Sequence, residues 1–593
     1  MKHVLKKSWL FVIILFIQLF ILIYTFANYK QGFHSDEIYE YGFANSDDLV
    51  VLEKDSLGNG LDGRWTNSSE FLKYISVEKD NRFSYSNIYK HASMDYYNPP
   101  LKLFVLHTIC SFFPGIFSKW FSFLINLISF IIMQVFLYLL MKRISDNDPL
   151  SVACVCLLGF NAGCFNSMTF LRMYAMGMAL GIVFLYFSYS YFFDLERKKR
   201  IIDLCIIFIS LFSGAYTLHL FLVFAFPLVL ILCIGFLFFK KIKNVFCYGF
   251  TCLGAVGLSF LAFPKTVSDT MQSTDTYSYA AVKYSDFMQF RIYTYLATLD
   301  NFGFHTSPYS NPWIKNSIAI AIFIFIVSIP LFFLFRKEKW FVEFIKKIKN
   351  KFINYLRHIN ANFIFLIACL ASSFFVIYIS AIRTSVYIMS VKYTARYVYI
   401  IYPLLCIFVT LFTYYILNFF ISNSKIVGFI LIYAALFISS ISQVLNSQPY
   451  LMLHEHKGVS LDKIESDANC YIMLMSEWFI VSFANELYET NSYYFTDYSD
   501  YKNETDCFDN IDHSKPLYMI LDCSILLTDE VKKEMSENPD SLYNTVYSDI
   551  MVDETDVLNH YKSLSEVNNI EYVGEDCVFD RRIKIYRVRF NDI

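Results

Sequence analysis

Long apolar stretches alternate with short polar segments along most of this chain. The stretches have about 18–24 residues, the length with which a helix crosses about 30 Å of hydrocarbon. The pattern therefore predicts a polytopic α-helical membrane protein. It has about eleven spans, at residues 8–28, 118–141, 150–168, 174–194, 201–219, 220–239, 245–263, 314–335, 361–381, 397–420 and 426–444.

The apolar stretch Leu101–Phe117 is not counted among the spans. Two prolines precede it, a Pro-Gly pair interrupts it, and it carries Lys102 and His107. We predict an interfacial helix on the outer leaflet, inside a large first extracytoplasmic loop at 29–117.

The distribution of Lys and Arg predicts the orientation of the spans. The first apolar run follows a basic N-terminus, is too long for a signal-peptide core and lacks a cleavage site, so we predict a retained signal anchor. With the N-terminus in the cytoplasm, every basic cluster lies inside, at 142–143, 197–200, 240–243 and 336–358. The chain is then a multi-pass protein of the cell membrane, and its polar tail is extracytoplasmic.

Composition supports a membrane protein and excludes some functions. Of the 593 residues, 56% are hydrophobic and 17% charged, more apolar than an average soluble chain. A net charge of −2 gives no support for nucleic-acid binding. No Cys-x-x-Cys pair supports zinc or redox chemistry, but the tail leaves one or two disulfides open, among Cys470, Cys507, Cys523 and Cys577.

The tail predicts a second domain. Short β-type runs alternate with helical ones, so we divide the chain into a transmembrane domain at 1–445 and an extracytoplasmic α/β domain at 446–593. The predicted strands are Cys470–Met475, Tyr493–Thr496, Leu517–Leu521 and Ile583–Phe590, and the predicted helices are Glu477–Glu489 and Thr528–Glu537. Because this part shows no catalytic motif, it is interpreted as a lid or recognition module.

An acidic pair, Asp36-Glu37, follows the first span at the water–lipid boundary. A carboxylate there could act as a general base on a hydroxyl, or the pair could hold a divalent cation such as Mg²⁺ or Mn²⁺. The alternative is structural, with Ser35 or Asp36 capping a short helix that runs through Asn45.

Several cations fall at the outer ends of spans, where they could bind a lipid phosphate or extend to the lipid headgroups. They are Lys102, Arg172, His219, Lys392 and Arg396. Carboxylates beside such cations suit a lipid that carries a phosphate, because the cations would stabilise its charge as it leaves while a carboxylate activates the attacking hydroxyl.

The order of these motifs resembles the GT-C glycosyltransferases. Within them it is most similar to the bacterial relatives of protein O-mannosyltransferases and the lipid A aminoarabinose transferase. The corresponding segments here are Asp36-Glu37, Asn98-Pro99-Pro100-Leu101, Arg172-Met173-Tyr174-Ala175, His219-Leu220-Phe221 and Arg396-Tyr397…Pro403. The resemblance covers roughly residues 8–445.

This resemblance implies inverting transfer of a sugar from a polyprenyl-phosphate donor to a glycan, lipid or protein hydroxyl outside the membrane. Asp36 would be the base and Glu37 a helper or metal ligand. The phosphate ligands would be Arg172, Lys392, Arg396, Lys102 and His219. The donor or acceptor would be positioned by His34, Tyr39, Asn98, Tyr174 and Tyr393. The chain departs from the family at Asn98 and Lys102, where His or Lys and an aromatic residue are common, and after His219, which is followed by Leu-Phe in place of Tyr-Phe.

Two other functions stay open from the sequence. A transporter, flippase, polymerase or ligase of lipid-linked saccharides would use the same membrane lipid. A transporter should carry charged residues at mid-membrane and consist of two repeated halves, and the predicted spans show neither feature. A scaffold that displays the tail would leave the placement of Arg172 and Arg396 unexplained.

Overall fold

The structure is a computed structural model. It describes residues 8–30, 32–47, 64–94, 99–193, 200–265, 361–386, 395–421, 423–445, 460–474, 477–498, 501–503, 506–508, 511–524, 526–537, 551–578 and 581–591, with the single positions 338, 342, 343 and 346.

Helices occupy ten of the eleven predicted apolar runs, and the run at 314–335 lies outside the described residues. Within the described part, seven helices are long and apolar enough to cross a membrane, or eight if one bent pair is a single span. The polytopic helical architecture is thus confirmed, while the count of eleven stays a prediction. The helices are α1 (Trp9–Tyr29), α6 (Lys119–Ser145), α7 (Asp148–Gly159), α8 (Ala162–Thr169), α9 (Tyr174–Phe193), α10 (Arg200–Ala215), α11 (Leu220–Phe238), α12 (Ile242–Ala262), α13 (Ala361–Val386), α14 (Tyr402–Phe420) and α15 (Ser424–Leu445).

The predicted span at 150–168 is broken into α7 and α8, which meet at an angle of 60°. The break occurs because Asn161 caps α8, its side-chain oxygen accepting from the backbone N–H of Gly163 across 2.8 Å. At the other end, the Asn126 side chain donates to the carbonyls of Met168 and Phe170, both at 2.9 Å. The broken helix therefore delivers the segment after Phe170 to a fixed place.

The described residues of the loop between the first two predicted spans, at 29–117, fold into four short helices. They are α2 (Ser35–Asn45), α3 (Ser69–Ile75), α4 (Ser86–Met94) and α5 (Leu101–Ser111). Eleven residues make α5 about 16 Å long, too short to cross a bilayer, in keeping with the prediction that this stretch is not a span.

Five strands of the tail and one strand of the loop, β1, form a six-stranded sheet in the order β1-β3-β2-β4-β8-β7. The strands β3, β2 and β4 are parallel, β1 and β8 pair antiparallel with β3 and β4, and the edge strand β7 pairs antiparallel with β8. The strands are β1 (Trp65–Asn67), β2 (Asn469–Leu474), β3 (Ser492–Asp497), β4 (Leu517–Asp522), β7 (Val567–Val578) and β8 (Arg581–Phe590), with β5 (Leu526–Leu527) and β6 (Val552–Asp553) pairing separately. The helices are α16 (Ala484–Leu487), α17 (Asp529–Glu537) and α18 (Glu554–Lys562).

All four predicted strands of the tail are confirmed, and the sequence missed β1, β5, β6 and β7. Of the predicted helices, 528–537 is confirmed as α17, while 477–489 is mostly a 3₁₀ helix, Glu477–Phe483, followed by α16. No disulfide joins any of the described cysteines, so the disulfides left open for the tail are not formed in this structure.

The loop and the tail share one hydrophobic core. Strand β1 of the loop pairs with β3 of the tail, and the indole N–H of Trp65 donates to the Cys507 carbonyl across 2.6 Å. Buried residues of the loop helix α2, such as Ile38 and Tyr41, lie in the same cluster as Ile472 and Ile480 of the tail. The tail is consequently part of the structure that holds α2, and the division of the chain at 445 stays a prediction.

Gly42 allows α2 to pack against α3. A Cβ atom at this position would overlap the buried ring of Tyr74. Gly42→Ala is expected to destabilise the protein by about 1–3 kcal/mol, since a close-packed core has no room for the methyl group. Thermal unfolding measures the loss, with Gly257→Ala in α12 as control, because nothing lies within 4 Å of that Cβ. Equal unfolding temperatures for the two variants would contradict the prediction.

Candidate active site after the first span

Helix α2 begins at the acidic pair, and its N-terminal cap is His34 rather than Ser35 or Asp36 as predicted. The ring Nδ1 of His34 accepts from the backbone N–H of Asp36 across 3.0 Å. In return, the Glu37 carboxylate accepts from the backbone N–H of His34 across 2.7 Å, completing a capping box. The helix ends at Asn45, as the sequence predicted.

Glu37 is buried within a set of hydrogen-bond donors. The Nζ atom of Lys30 lies 2.8 and 2.7 Å from its two oxygens, and the backbone N–H of Leu171 donates to Oε1 across 2.6 Å. Both side chains of the Lys30–Glu37 ion pair are fully buried. This carboxylate therefore joins the first span, α2 and the segment after α8, and it does not face a substrate.

Lys102 is also buried, and it holds the same segment from the other side. Its Nζ donates to the Leu171 carbonyl at 2.6 Å and to Ser122 Oγ at 3.0 Å, and it lies 3.0 Å from Oε1 of Glu40. Three acceptors match its three N–H groups. The predicted contact of Lys102 with a donor phosphate does not fit this arrangement, since the ammonium has no N–H left to offer.

Arg172 is held by two groups of α2. Its Nη1 donates to the Asp36 carbonyl across 2.9 Å, and its Nε lies 3.4 Å from Oε2 of Glu40. Glu37 binds the backbone N–H of Leu171, and Lys102 binds its carbonyl. The next residue, Arg172, is therefore held in a defined position at the N-terminal turn of α2.

Asp36 and Arg396 form an ion pair that water can reach. Nη1 of Arg396 lies 2.9 Å from Oδ2 of Asp36, and the two side chains are 17% and 29% exposed. The same Nη1 is 3.3 Å from Nε2 of His34, and Nη2 is 3.4 Å from the hydroxyl of Tyr397. The structure thus brings together residues from the first loop and from the 3₁₀ helix Ala395–Ile401 that precedes α14, about 360 positions apart.

Nearby charges and burial determine the protonation states of Asp36 and His34. Burial raises the pKa of Asp36, but Arg396, His34 and Arg172 outweigh burial and hold that pKa well below its ordinary value. Burial is also the main reason that the pKa of His34 falls to about 3, with Arg396, Arg172 and Lys30 lowering it further against the opposing pull of Asp36. At neutral pH Asp36 is a carboxylate and His34 a neutral ring.

The remaining predicted site residues are distributed around this centre. Tyr39 is partly buried on α2, and Tyr174 is buried at the start of α9, where its ring contacts Phe170 and Tyr399. His219 directly precedes α11, and its side chain does not cap that helix. Asn98, Lys392 and Tyr393 lie outside the described residues.

Sequence reasoning missed two members of the charged network, Lys30 and Glu40. Glu40 was visible as the residue four positions after Asp36 and three after Glu37, hence on the same face of α2. Lys30 follows the first span directly, where a lysine is ordinarily expected to extend to the headgroups. Only the fold shows that its ammonium turns inward.

The acidic pair does not fit a metal ligand set. Four donated hydrogen bonds occupy the Glu37 carboxylate, and Arg396 neutralises Asp36. Among the described residues, no group of three His, Cys, Asp or Glu side chains could hold an ion. A requirement for Mg²⁺ or Mn²⁺ stays a prediction, and no step below passes through a metal.

Comparison with known proteins finds similarity in fold alone. No protein-family model matches the chain, and no curated protein matches its sequence. Among solved structures, it is similar to the aminoarabinose transferase ArnT from Cupriavidus metallidurans bound to undecaprenyl phosphate, with 10% identity over 98% of both chains and a TM-score of 0.36. The Archaeoglobus fulgidus oligosaccharyltransferase in complex with Zn and sulfate gives 11% identity over 95% of this chain and 72% of its own, with a TM-score of 0.43.

Both are GT-C superfamily members. The motif order in the sequence resembles the same superfamily. Because these TM-scores lie below 0.5, the function proposed next rests on the side chains of this chain.

Proposed function

We propose that this protein is a glycosyltransferase of the GT-C type. It moves a sugar from a polyprenyl-phosphate carrier to a hydroxyl acceptor on the outer side of the cell membrane. One observation carries the proposal: at the end of the first span, the partly exposed carboxylate of Asp36 lies against the guanidinium of Arg396, with Arg172 anchored beside it. A base next to phosphate-binding cations is the combination that such a transfer needs.

In the proposed reaction, the acceptor oxygen attacks the anomeric carbon of the sugar. The bond between that carbon and the phosphate oxygen breaks, and the electron pair leaves with the polyprenyl phosphate. Asp36 accepts the proton of the attacking hydroxyl. Arg396 and Arg172 stabilise the charge that develops on the phosphate, because guanidinium groups bind phosphate oxygens through paired N–H donors. Attack opposite the leaving group inverts the anomeric centre.

The other charged residues have a structural role in this proposal. Glu37, Lys30, Lys102 and Glu40 are buried and paired, so they hold α2 and the segment at Leu171 in register. The tail contributes through the core that it shares with α2. We further propose that the tail is extracytoplasmic and covers the acceptor side of the site.

Turnover in membranes distinguishes the transferase from a transporter. We expect the full chain in proteoliposomes to consume a labelled polyprenyl-phosphate sugar and to release polyprenyl phosphate only when a membrane fraction supplies the acceptor. Movement of labelled lipid between leaflets without release of polyprenyl phosphate would favour the transporter and overturn the proposal. The sugar on the donor is varied until one is consumed, and empty liposomes serve as the control.

A further inference from the structure

An apolar surface lies beside the first turn of α6, outside the helices that are long enough to span a membrane. Four side chains of the loop form this surface, here called the apolar tip, and they are 39–62% exposed: Phe83, Phe112, Phe113 and Ile116. The helix α5 itself packs into the core that the loop shares with the tail, and six of its eleven residues are buried. The exposed apolar part of this stretch is therefore the turn after α5.

The first residue of the tip, Phe83, is held in a strained conformation. Its φ is 57°, a left-handed value that is unfavourable for an aromatic residue. Ser111 fixes the turn, because its hydroxyl accepts from the backbone N–H of Phe83 across 3.0 Å and its carbonyl accepts from Nε of Arg82 across 2.7 Å. The ring stays 39% exposed and stands edge-on to Phe112 at 5.2 Å. Backbone strain that exposes an aromatic ring points to a function for that ring outside the protein core.

A Pro-Gly turn follows α5 and presents the rest of the tip. Pro114 and Gly115, whose φ is 73°, take its two central positions, and the backbone N–H of Ile116 donates to the Phe113 carbonyl across 3.3 Å. The ring of Phe113 stacks on Phe121 at 5.1 Å. Because Phe121 belongs to the first turn of α6, the tip lies at the level where this span begins.

The tip continues an exposed apolar stripe of α6. Trp120, Leu124, Ile128 and Ile132 recur every four residues and are 38–50% exposed, so they share one face of the span. The stripe begins at a tryptophan, which is typical of the boundary between hydrocarbon and headgroups. Beside the tip, the exposed guanidinium of Arg82 lies 5.5 Å from the ring of Phe83. Apolar side chains that continue such a stripe, flanked by a cation, fit a phospholipid leaflet.

We propose that the apolar tip inserts into the leaflet at this end of α6, and that Arg82 binds phospholipid phosphates beside it. The inference does not depend on the proposed function. The tip is joined to α2, since the ring of Phe117 lies 5.4 Å from that of Phe33 and 4.9 Å from that of Tyr41. The depth of the tip therefore fixes the height of α2, and of the candidate base on it, relative to the leaflet.

Photocrosslinking tests the insertion. The full chain, with p-benzoylphenylalanine in place of Phe112, is irradiated in nanodiscs of phosphatidylcholine and phosphatidylglycerol, and adducts are identified by intact mass. The control position is Tyr572, which has a similar exposure and contacts Tyr586 on the face of the tail sheet opposite to the loop helices. We expect about tenfold more phospholipid adduct at Phe112 than at Tyr572. Equal yields at the two positions, or a covalent dimer of the chain in place of lipid adducts, would overturn the insertion.

Two further variants test the ring and the charge separately. Phe83→Asn removes the ring, and asparagine tolerates a positive φ, so the unfolding temperature in detergent should not fall while the adduct yield at Phe112 drops about threefold. Arg82→Gln should keep the total yield but lower the share of phosphatidylglycerol among the adducts about twofold to fivefold, whereas the exposed control Arg589→Gln should not. An unchanged yield in Phe83→Asn overturns the role of its ring, and an unchanged lipid ratio in Arg82→Gln overturns the phosphate contact.

Discussion

Asp36→Asn is expected to lower the rate of sugar transfer by about a hundredfold to ten-thousandfold, the contribution of a positioned general base. Asparagine has nearly the same shape but cannot accept the proton of the acceptor hydroxyl. The substitution should leave the fold intact, because the helix cap uses the backbone N–H of residue 36 and Arg172 binds its carbonyl. Incorporation of labelled sugar from the polyprenyl-phosphate donor, measured under initial-rate conditions, gives the comparison.

A carboxylate in the same loop provides the control. Glu70 lies on α3 and pairs with Lys73 at the surface, so Glu70→Gln should leave the transfer rate within about twofold of the unmodified rate. If Asp36→Asn retains the rate of this control, Asp36 is not the base. Because a general base acts on the acceptor hydroxyl in the transition state, the loss of activity should appear in the maximal rate and not in the KM for the donor.

The membrane part of the fold could be predicted from the sequence because hydrocarbon imposes a simple rule. A run of about 20 apolar residues has few alternatives to a spanning helix. The rule fails at 150–168, where Asn161 offers a cap in the middle of an apolar run and the chain bends. In the tail, the apolar strands β2 and β4 were visible, but β1 has three residues and gains its stability from β3, about 425 positions away.

The sequence predicted which residues form the site, but it did not predict which role each of them has. Asp36, Glu37, Arg172 and Arg396 were all candidates, and the structure places them around one turn of α2. Which of two adjacent carboxylates faces outward depends on helix phase and on what packs against each side. Glu37 turns toward Lys30 and Leu171, while Asp36 turns toward Arg396. Sequence alone does not give that phase, since it is set by the His34 cap.

Lys30→Met is expected to have the largest effect on stability, with a loss of about 3–5 kcal/mol. Methionine fills the space of the lysine stem but leaves Glu37 without its buried counter-ion. That carboxylate then either stays charged at a high cost or takes up a proton and becomes a weaker acceptor for the backbone N–H groups of His34 and Leu171. Equilibrium unfolding in mixed micelles of a mild detergent and SDS measures the loss.

A surface lysine and a double variant make this result specific. Lys73→Met breaks the exposed pair with Glu70 and should cost no more than about 1 kcal/mol. Combining Lys30→Met with Glu37→Gln removes both charges, so the double variant should lose less stability than the two single losses added together. If Lys30→Met were no more harmful than Lys73→Met, the buried pair would not be what fixes α2 to the first span. The orientation of Asp36 toward Arg396 would then need another explanation, because the same capping box that binds Glu37 sets the direction in which Asp36 points.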